Sequence, residues 1–238
     1  MSRAGEGVAP IHDPVHHVEE FSMRHLLLAA VASLGLATAC AQASPPVPAV
    51  PTYKVEPTHA SLTWKVNHQG LSLYTARFTQ FDATLTFDPA NPAASTLSAT
   101  VNPLSVRTDY SGDFKATHAN SPYASWDEAL ARDPKWFNAD AHPAITFNGT
   151  GITVTGENTG TVTGDLTFLG VTKPVTLNVR FNGEKEFPWN NGAKSIGFSA
   201  TGTIKRSEFG MATMLGGLGD DVEIALEVEF LQQVPAAG

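Results

Sequence analysis

Cysteine is almost missing from this sequence, with one in 238 residues. A single thiol closes no internal disulfide, so whatever fold forms must be held by its core. Clustered positive charge is missing too. Fifteen Lys and Arg face 23 Asp and Glu for a formal net charge of −8, and the basic residues come no denser than pairs such as Lys205-Arg206. Nucleic acid needs grouped cations to neutralise its phosphates, so it is excluded as a partner. No apolar run reaches the ~20 residues that a membrane-spanning helix takes. No Gly-x-Ser-x-Gly elbow occurs, and Cys40 lies ahead of the patterned body, so neither a serine nor a cysteine nucleophile is supported. Metal chemistry is equally unsupported. His59, His68, His118 and His142 share no i, i+2 or i, i+4 spacing, and a metal site needs several converging ligands. Asp109, Asp113 and His118 are close in sequence, but a solvated loop is the plainer reading. No catalytic residue and no metal ligand is therefore assigned, and a binding protein rather than an enzyme is expected.

The front end carries an export pattern. From Met23 the chain reads MRHLLLAAVASLGLATACAQA, with Arg24 and His25 as a short basic region and an apolar run from Leu26 to Leu36. Ala37-Thr38-Ala39 and Ala41-Gln42-Ala43 follow as cleavage-type triplets. Residues 23–43 are thus expected to be a signal peptide that sends the chain to the periplasm. Ala39 before Cys40 would also serve a lipoprotein signal, although the small Ala37 fits that alternative less well. Residues 1–22 are polar and acidic. They are read as a disordered or non-native extension, with translation starting at Met23. SPPVPAVP opens a Pro-rich spacer over 44–52 with an extended bias.

From there the pattern is β. Asp221 to Leu231 alternates Val222, Ile224, Leu226, Val228 and Phe230 on one face with Glu223, Glu227 and Glu229 on the other. Val175, Leu177, Val179 and Phe181 alternate with Thr176, Asn178 and Arg180 in the same way. Ile196, Phe198, Ala200, Gly202 and Ile204 share a face, as do Leu62, Trp64 and Val66, and Phe81, Ala83, Leu85 and Phe87. Further strands fall at Thr96–Val101, Ala144–Val154 and Val162–Phe168. Turn signals separate them at Asp88-Pro89 to Asn91-Pro92, Gly156 to Gly160, Leu169-Gly170 and Asn190-Asn191-Gly192. About eight strands in meandering order make a closed barrel or a sandwich, and closure removes exposed edges. The outward residues are polar, where a barrel standing in lipid needs an apolar band.

One stretch between Val106 and Ile145 breaks the alternation. SPYASWDEALARDPKWFNADAHP reads as helix, with Ser125 and Glu128 at capping-box spacing and a second turn starting at Asp133-Pro134. Such an insert is placed to lid or plug a barrel mouth. The inward set mixes aromatics with Ala83, Ala99, Gly164, Ala200 and Gly202. Those small residues either leave room for a slim ligand or let opposite walls interdigitate into a filled core. The last strand, 11 residues by this reading, would run roughly 36 Å, so the barrel is tall. Arg206 ends a strand, either to meet an anionic or quinone head group or to cap its own turn.

Several collinear motifs carry a resemblance. YKVEPTHASLTWKVNHQGLSLYTARFTQFDATLTFDP, WFNADAHPAITF, GDLTFLGVTKPVTL and IGFSATGTIKRSEFGM together resemble YceI-like proteins, over nearly all of the expected domain at 53–231. The resemblance implies an all-β fold, an extended eight-stranded antiparallel lipocalin-like barrel with a short helical insertion. It also implies periplasmic export and an apolar isoprenoid lipid, a long-chain polyisoprenoid or an isoprenoid quinone, held in the pore as ligand with no other cofactor. A barrel working through protein contacts instead of lipid is the alternative, and self-association into a homodimer stays open. The segment between Val106 and Asn138 is longer than the commonest pattern of that family. By alternation, the expected pore-lining residues are Trp64, Phe81, Phe87, Phe147 and Phe168, with Leu177, Phe198 and Leu226. His68 is expected at the mouth. Residues 232–238 are left as a tail.

Overall fold

The computed structural model describes residues 50–234. The expected extension, the signal peptide with Cys40, and residues 44–49 of the spacer lie outside the described residues, as does the end of the tail. Among the described residues there are eleven strands: β1 (Thr52–Val55), β2 (Ser61–His68), β3 (Ser72–Phe78), β4 (Phe81–Thr86), β5 (Thr96–Val101), β6 (Val106–Thr108), β7 (Ile145–Gly156), β8 (Thr159–Phe168), β9 (Val171–Glu186), β10 (Lys194–Lys205) and β11 (Leu218–Gln232). Two helices, α1 (Phe114–Thr117) and α2 (Trp126–Arg132), sit between β6 and β7.

The eleven pieces make eight walls. β1 and β2 both pair with β11, and β4 and β3 pair with β1 and β2 in turn. Each of the pairs β1–β2, β3–β4 and β5–β6 is thus one long strand with a bend in it. The order then runs through β7, β8, β9, β10 and β11, every pairing is antiparallel, and the β1–β11 ladder closes the ring. This is an eight-stranded up-and-down barrel.

The bends have local causes. Pro57 and Pro103 bring no amide hydrogen to a ladder. Each follows a residue whose side chain caps a short 3₁₀ turn: Glu56 accepts from the amides of Thr58 and His59, and Asn102 from that of Leu104. Between β3 and β4, the Gln80 amide donates to Ser105 Oγ at 3.0 Å and the Asn102 amide to the Gln80 carbonyl at 3.0 Å. Two of the corners are thereby tied side by side, around a fully buried Val106.

β6 and β7 do not pair, and the insertion fills the gap. Asp127 of α2 replaces the missing ladder, its Oδ1 accepting from the Thr108 amide (2.9 Å) and hydroxyl (2.7 Å). The helical reading of 121–143 contracts to the seven residues of α2, capped by Ser125 as expected. Asp133 ends that helix, and the Trp136 amide donating to the Asp133 carbonyl closes the following turn. The short α1 carries too little periodic pattern to be foreseen.

Candidate functional site

The inner faces of the walls enclose one elongated cavity of about 750 Å³, within the range of small-molecule sites, ~300–1,000 Å³. β11, with 15 residues where 11 were expected, spans roughly 50 Å of strand, or about 38 Å along an axis to which strands tilt ~40°. The alternation read from the sequence fixes which side chains look inward. Phe198, Ala200 and Ile204 of β10, Val175, Leu177, Val179 and Phe181 of β9, and Val222, Ile224, Leu226, Val228 and Phe230 of β11 all line the cavity.

All nine expected residues stand on its wall. Trp64 and Phe168 lie toward the insertion, in a cluster with Phe78, Phe137 and Phe209, and Phe147 packs on the edge of that cluster. His68 ends β2 at the same rim. Phe87 and Phe198 lie at the opposite end, with ring centroids 5.6 Å apart and Phe181 against both. Phe81 joins the two clusters, while Leu226, paired with Leu62 and Ala200, and Leu177 occupy the middle. The insertion adds lining residues that alternation could not supply: Trp126, Leu130, Trp136 and Phe137. Phe137 packs edge-on to Phe78 at 5.1 Å and to Trp64 at 5.9 Å. The aromatic pair Trp136-Phe137 within WFNADAHP was the signal available for this, but no strand period points it inward.

Of the two uses open to the small inward residues, leaving room or accepting a packed side chain, Gly164 and Gly202 take the second. An added Cβ at Gly164 would fall 2.5 Å from Phe147 Cζ, and one at Gly202 would fall 2.5 Å from Leu177 Cδ2. The space over these glycines is already taken by a side chain of the neighbouring strand. Ala83, Ala99 and Ala200 do face the open cavity.

Polar groups are confined to the ends. At the insertion end Trp126 Nε1 donates to the Tyr74 hydroxyl at 2.9 Å. Trp64 Nε1 is the one buried side-chain nitrogen or oxygen among the described residues with no hydrogen-bond partner. Arg206 is 3% exposed, and its guanidinium donates to the carbonyls of Gly219, Met211, Thr213 and Leu218 at 2.8–3.2 Å. Of its two expected roles, the geometry gives it the capping of its own turn. Burial pushes its pKa down, and nearby Asp220 opposes that shift. Asp220 accepts from the Ser207 amide and hydroxyl, bonds that hold its carboxyl below the usual range. Asp113 is spent on capping α1, and His118 stacks on Phe114 at 4.5 Å. Among the described residues no three His, Cys, Asp or Glu gather to hold a metal, and no helix is long and apolar enough to cross a membrane. At the far end the β7–β8 hairpin brings Glu157, Asn158 and Thr159 to the mouth.

Comparison with known proteins gives this geometry a context. The model of the YceI-like domain matches residues 53–230. The protein YceI of Escherichia coli is 37% identical over 183 residues, covering 76% of this chain and 87% of the relative. The YceI protein of Campylobacter jejuni superposes with a TM-score of 0.57 at 30% identity, over 71% of this chain and 91% of that one. A polyisoprenoid binding domain from Saccharophagus degradans, implicated in plant cell wall breakdown, shares the fold with a TM-score of 0.50 at 14% identity, over 76% of this chain and 98% of that one.

Proposed function

The chain belongs to the YceI-like family, and on that premise we propose that it is a periplasmic carrier that holds a long-chain polyisoprenoid lipid in its barrel. The observation that supports this most is the wall of the cavity. Its middle, from Leu62 and Val66 through Ala83, Ala99, Leu177, Ala200 and Leu226, presents hydrocarbon alone over most of the height of the barrel. A branched hydrocarbon chain laid there gains ~0.8 kcal/mol for each buried CH₂, with no polar contact required. Trp64, Phe81, Phe87, Phe147, Phe168, Leu177, Phe198 and Leu226 would form the tail's contacts, with His68 at the rim. The naming of a shared-fold domain for polyisoprenoid binding points the same way. An isoprenoid quinone offers the wall the same kind of tail and is the second reading, favoured by the unpartnered indole N–H of Trp64. Neither reading needs a catalytic group.

The test is native mass spectrometry of the protein purified from its host, followed by organic extraction and lipid analysis. One isoprenoid per chain is the expected result. A mass equal to the bare polypeptide, together with no uptake when such lipids are offered, would sink the carrier role and leave a barrel that works through its surface.

A further inference from the structure

Carboxylates are unevenly spread over this acidic chain. None of its 23 Asp and Glu falls within residues 57–81, which hold β2 and β3, or within residues 89–108, which hold β5 and β6. The basic side chains of those stretches, Lys65, Arg77 and Arg107, are exposed on the outside of the barrel. Lys65 has Glu223 opposite it on β11. Arg77 instead stands directly opposite Arg107 in the β3–β6 pairing, and like charges facing across a ladder cost stability. Among the described residues neither arginine forms an ion pair. Asp127 and Glu128 share a surface cleft with Arg107, but the first accepts from Thr108 and the second from the Ala124 amide.

The same hairpin is apolar where it is most exposed. Leu73 shares the outer face of β3 with Arg77, and Leu71, at the hairpin tip, is 84% exposed. Beside the tip runs the loop from Met211 to Gly217, joined to it by the Gln69 amide donating to the Gly217 carbonyl at 2.7 Å. Residues 209–219 carry no charge at all, and Met214 and Leu215 are exposed among them. Met214 is held at φ 56°, a left-handed backbone that a bulky side chain resists. Its side chain, like that of Tyr110 in the insertion, also lines the cavity. The exposed apolar rim is therefore continuous with the interior wall. At the opposite end Trp189 is 73% exposed and stacks on Phe187 at 4.8 Å, but the charges around it balance. Lys194 pairs with Glu184, and Lys185 lies between Glu184 and Glu186.

We propose, resting on the carrier reading above, that the face made by the β2–β3 hairpin, β6 and the 211–217 loop docks on an anionic phospholipid bilayer. Arg77 and Arg107 meet headgroup phosphates, which a guanidinium holds by paired hydrogen bonds. Leu71, Leu73, Met214 and Leu215 enter the interface, so the insertion-end mouth opens against the membrane. An acidic protein would satisfy the arginines equally, but it has no use for an apolar rim that runs into a hydrocarbon-lined cavity. A lipid moving from bilayer to cavity along that rim stays among apolar groups.

The test is flotation of the protein purified from its host with two kinds of vesicle, phosphatidylcholine alone and an equimolar mixture with phosphatidylglycerol. The same chain is used throughout, so its leading segment is common to every sample and only differences are read. The wild type should favour the mixed vesicles and lose that preference in high salt. Each arginine at an anionic surface contributes about fivefold in partitioning, so Arg77→Gln with Arg107→Gln should bind the mixed vesicles about 25-fold less. Leu71→Ser with Leu73→Ser should lose about tenfold or more on the same vesicles, while Trp189→Ser should change nothing. All five positions are exposed, and the comparison of the two vesicles by the wild type stands even where a variant does not fold. Equal binding to both vesicles overturns the proposal, as does an arginine double variant that floats like the wild type. A loss confined to Trp189→Ser puts the far end on the membrane and overturns it too. Flotation needs no cargo, so the two readings fail separately. A protein that holds an isoprenoid but ignores both vesicles loses the docking face and keeps the carrier role. One that floats as expected but takes up no lipid keeps the docking face and loses the carrier role.

Discussion

At Gly164 the atoms that an added methyl would meet are Phe147 Cζ at 2.5 Å and the Asn148 carbonyl oxygen at 2.6 Å. At Gly202 the nearest is Leu177 Cδ2 at 2.5 Å, with backbone no closer than 3.4 Å. The first site is walled partly by main chain and the second by the flexible tip of a leucine. Gly164→Ala should therefore cost about 1–3 kcal/mol, the usual range for overpacking a fitted core. Gly202→Ala should cost less, since Leu177 can swing into the cavity. Urea midpoints of the two variants check the order, and an equal cost would mean that Leu177 is not free to move. Arg206 is a harder case. Removing its guanidinium leaves four carbonyls facing a buried space, so Arg206→Ala should lose about 3–5 kcal/mol, as when one side of a buried charged arrangement is deleted. At this scale the sequence was partly legible. Alternation placed Trp64, Leu177 and Leu226 on the inner face, because a strand has only two faces. It could not tell an inward glycine that leaves space from one lying under a neighbour's ring, because that depends on cross-strand diagonals.

Between β6 and β7 the insertion stands where a ladder would continue, and its anchor is a side chain. Asp127→Ala removes both bonds to Thr108 and should cost about 1–2 kcal/mol. Its sharper signature is faster proteolysis within residues 109–144 while the barrel stays intact. The segment from Arg206 to Asp220 is held in part by a titrating group. Asp220 has its pKa lowered in the folded protein by Ser207, so its contribution is present above the ordinary carboxylate value of ~3.9. That contribution is lost as the pH falls through the lower folded value. The stability gap between the wild type and Asp220→Asn should be constant above about pH 5 and close below about pH 4, as urea titrations across that range would show. A gap that widens in acid would contradict the assignment. The long strands were visible in sequence because they obey one period. α2 was visible through its Ser125 cap. The bends at Pro57 and Pro103 and the four-residue α1 were not, being set by local capping and tertiary fit rather than by a repeating pattern.

Across the whole molecule a hollow barrel trades packing for capacity. A filled core would use dispersion contacts that the walls of this cavity forgo, so stability and binding should respond in opposite directions to the same substitution. Ala200 faces the cavity between Val179 and Leu226 at mid-height. Ala200→Leu adds hydrocarbon where there is space for it, so the lipid-free protein should unfold at the same temperature or higher. The same side chain narrows the bore and should exclude a long tail. The wild-type protein with an isoprenoid at a hundredfold its Kd gains ~2.7 kcal/mol. For a domain of this size that is a Tm rise of roughly 5–11 °C, and Ala200→Leu should lose most of it. About eight strands were legible from alternation and turn spacing, but a barrel and a sandwich suited them equally, and it is the β1–β11 ladder that closes the ring. Whether the interior was open was not legible either, because small and large inward residues suit a solid core equally well. The pair of scans resolves that question in function as well as in form. A variant that gains stability without lipid and loses the lipid's contribution shows that the empty volume is kept for a ligand. One that keeps the full shift would place the bound chain away from the middle of the barrel.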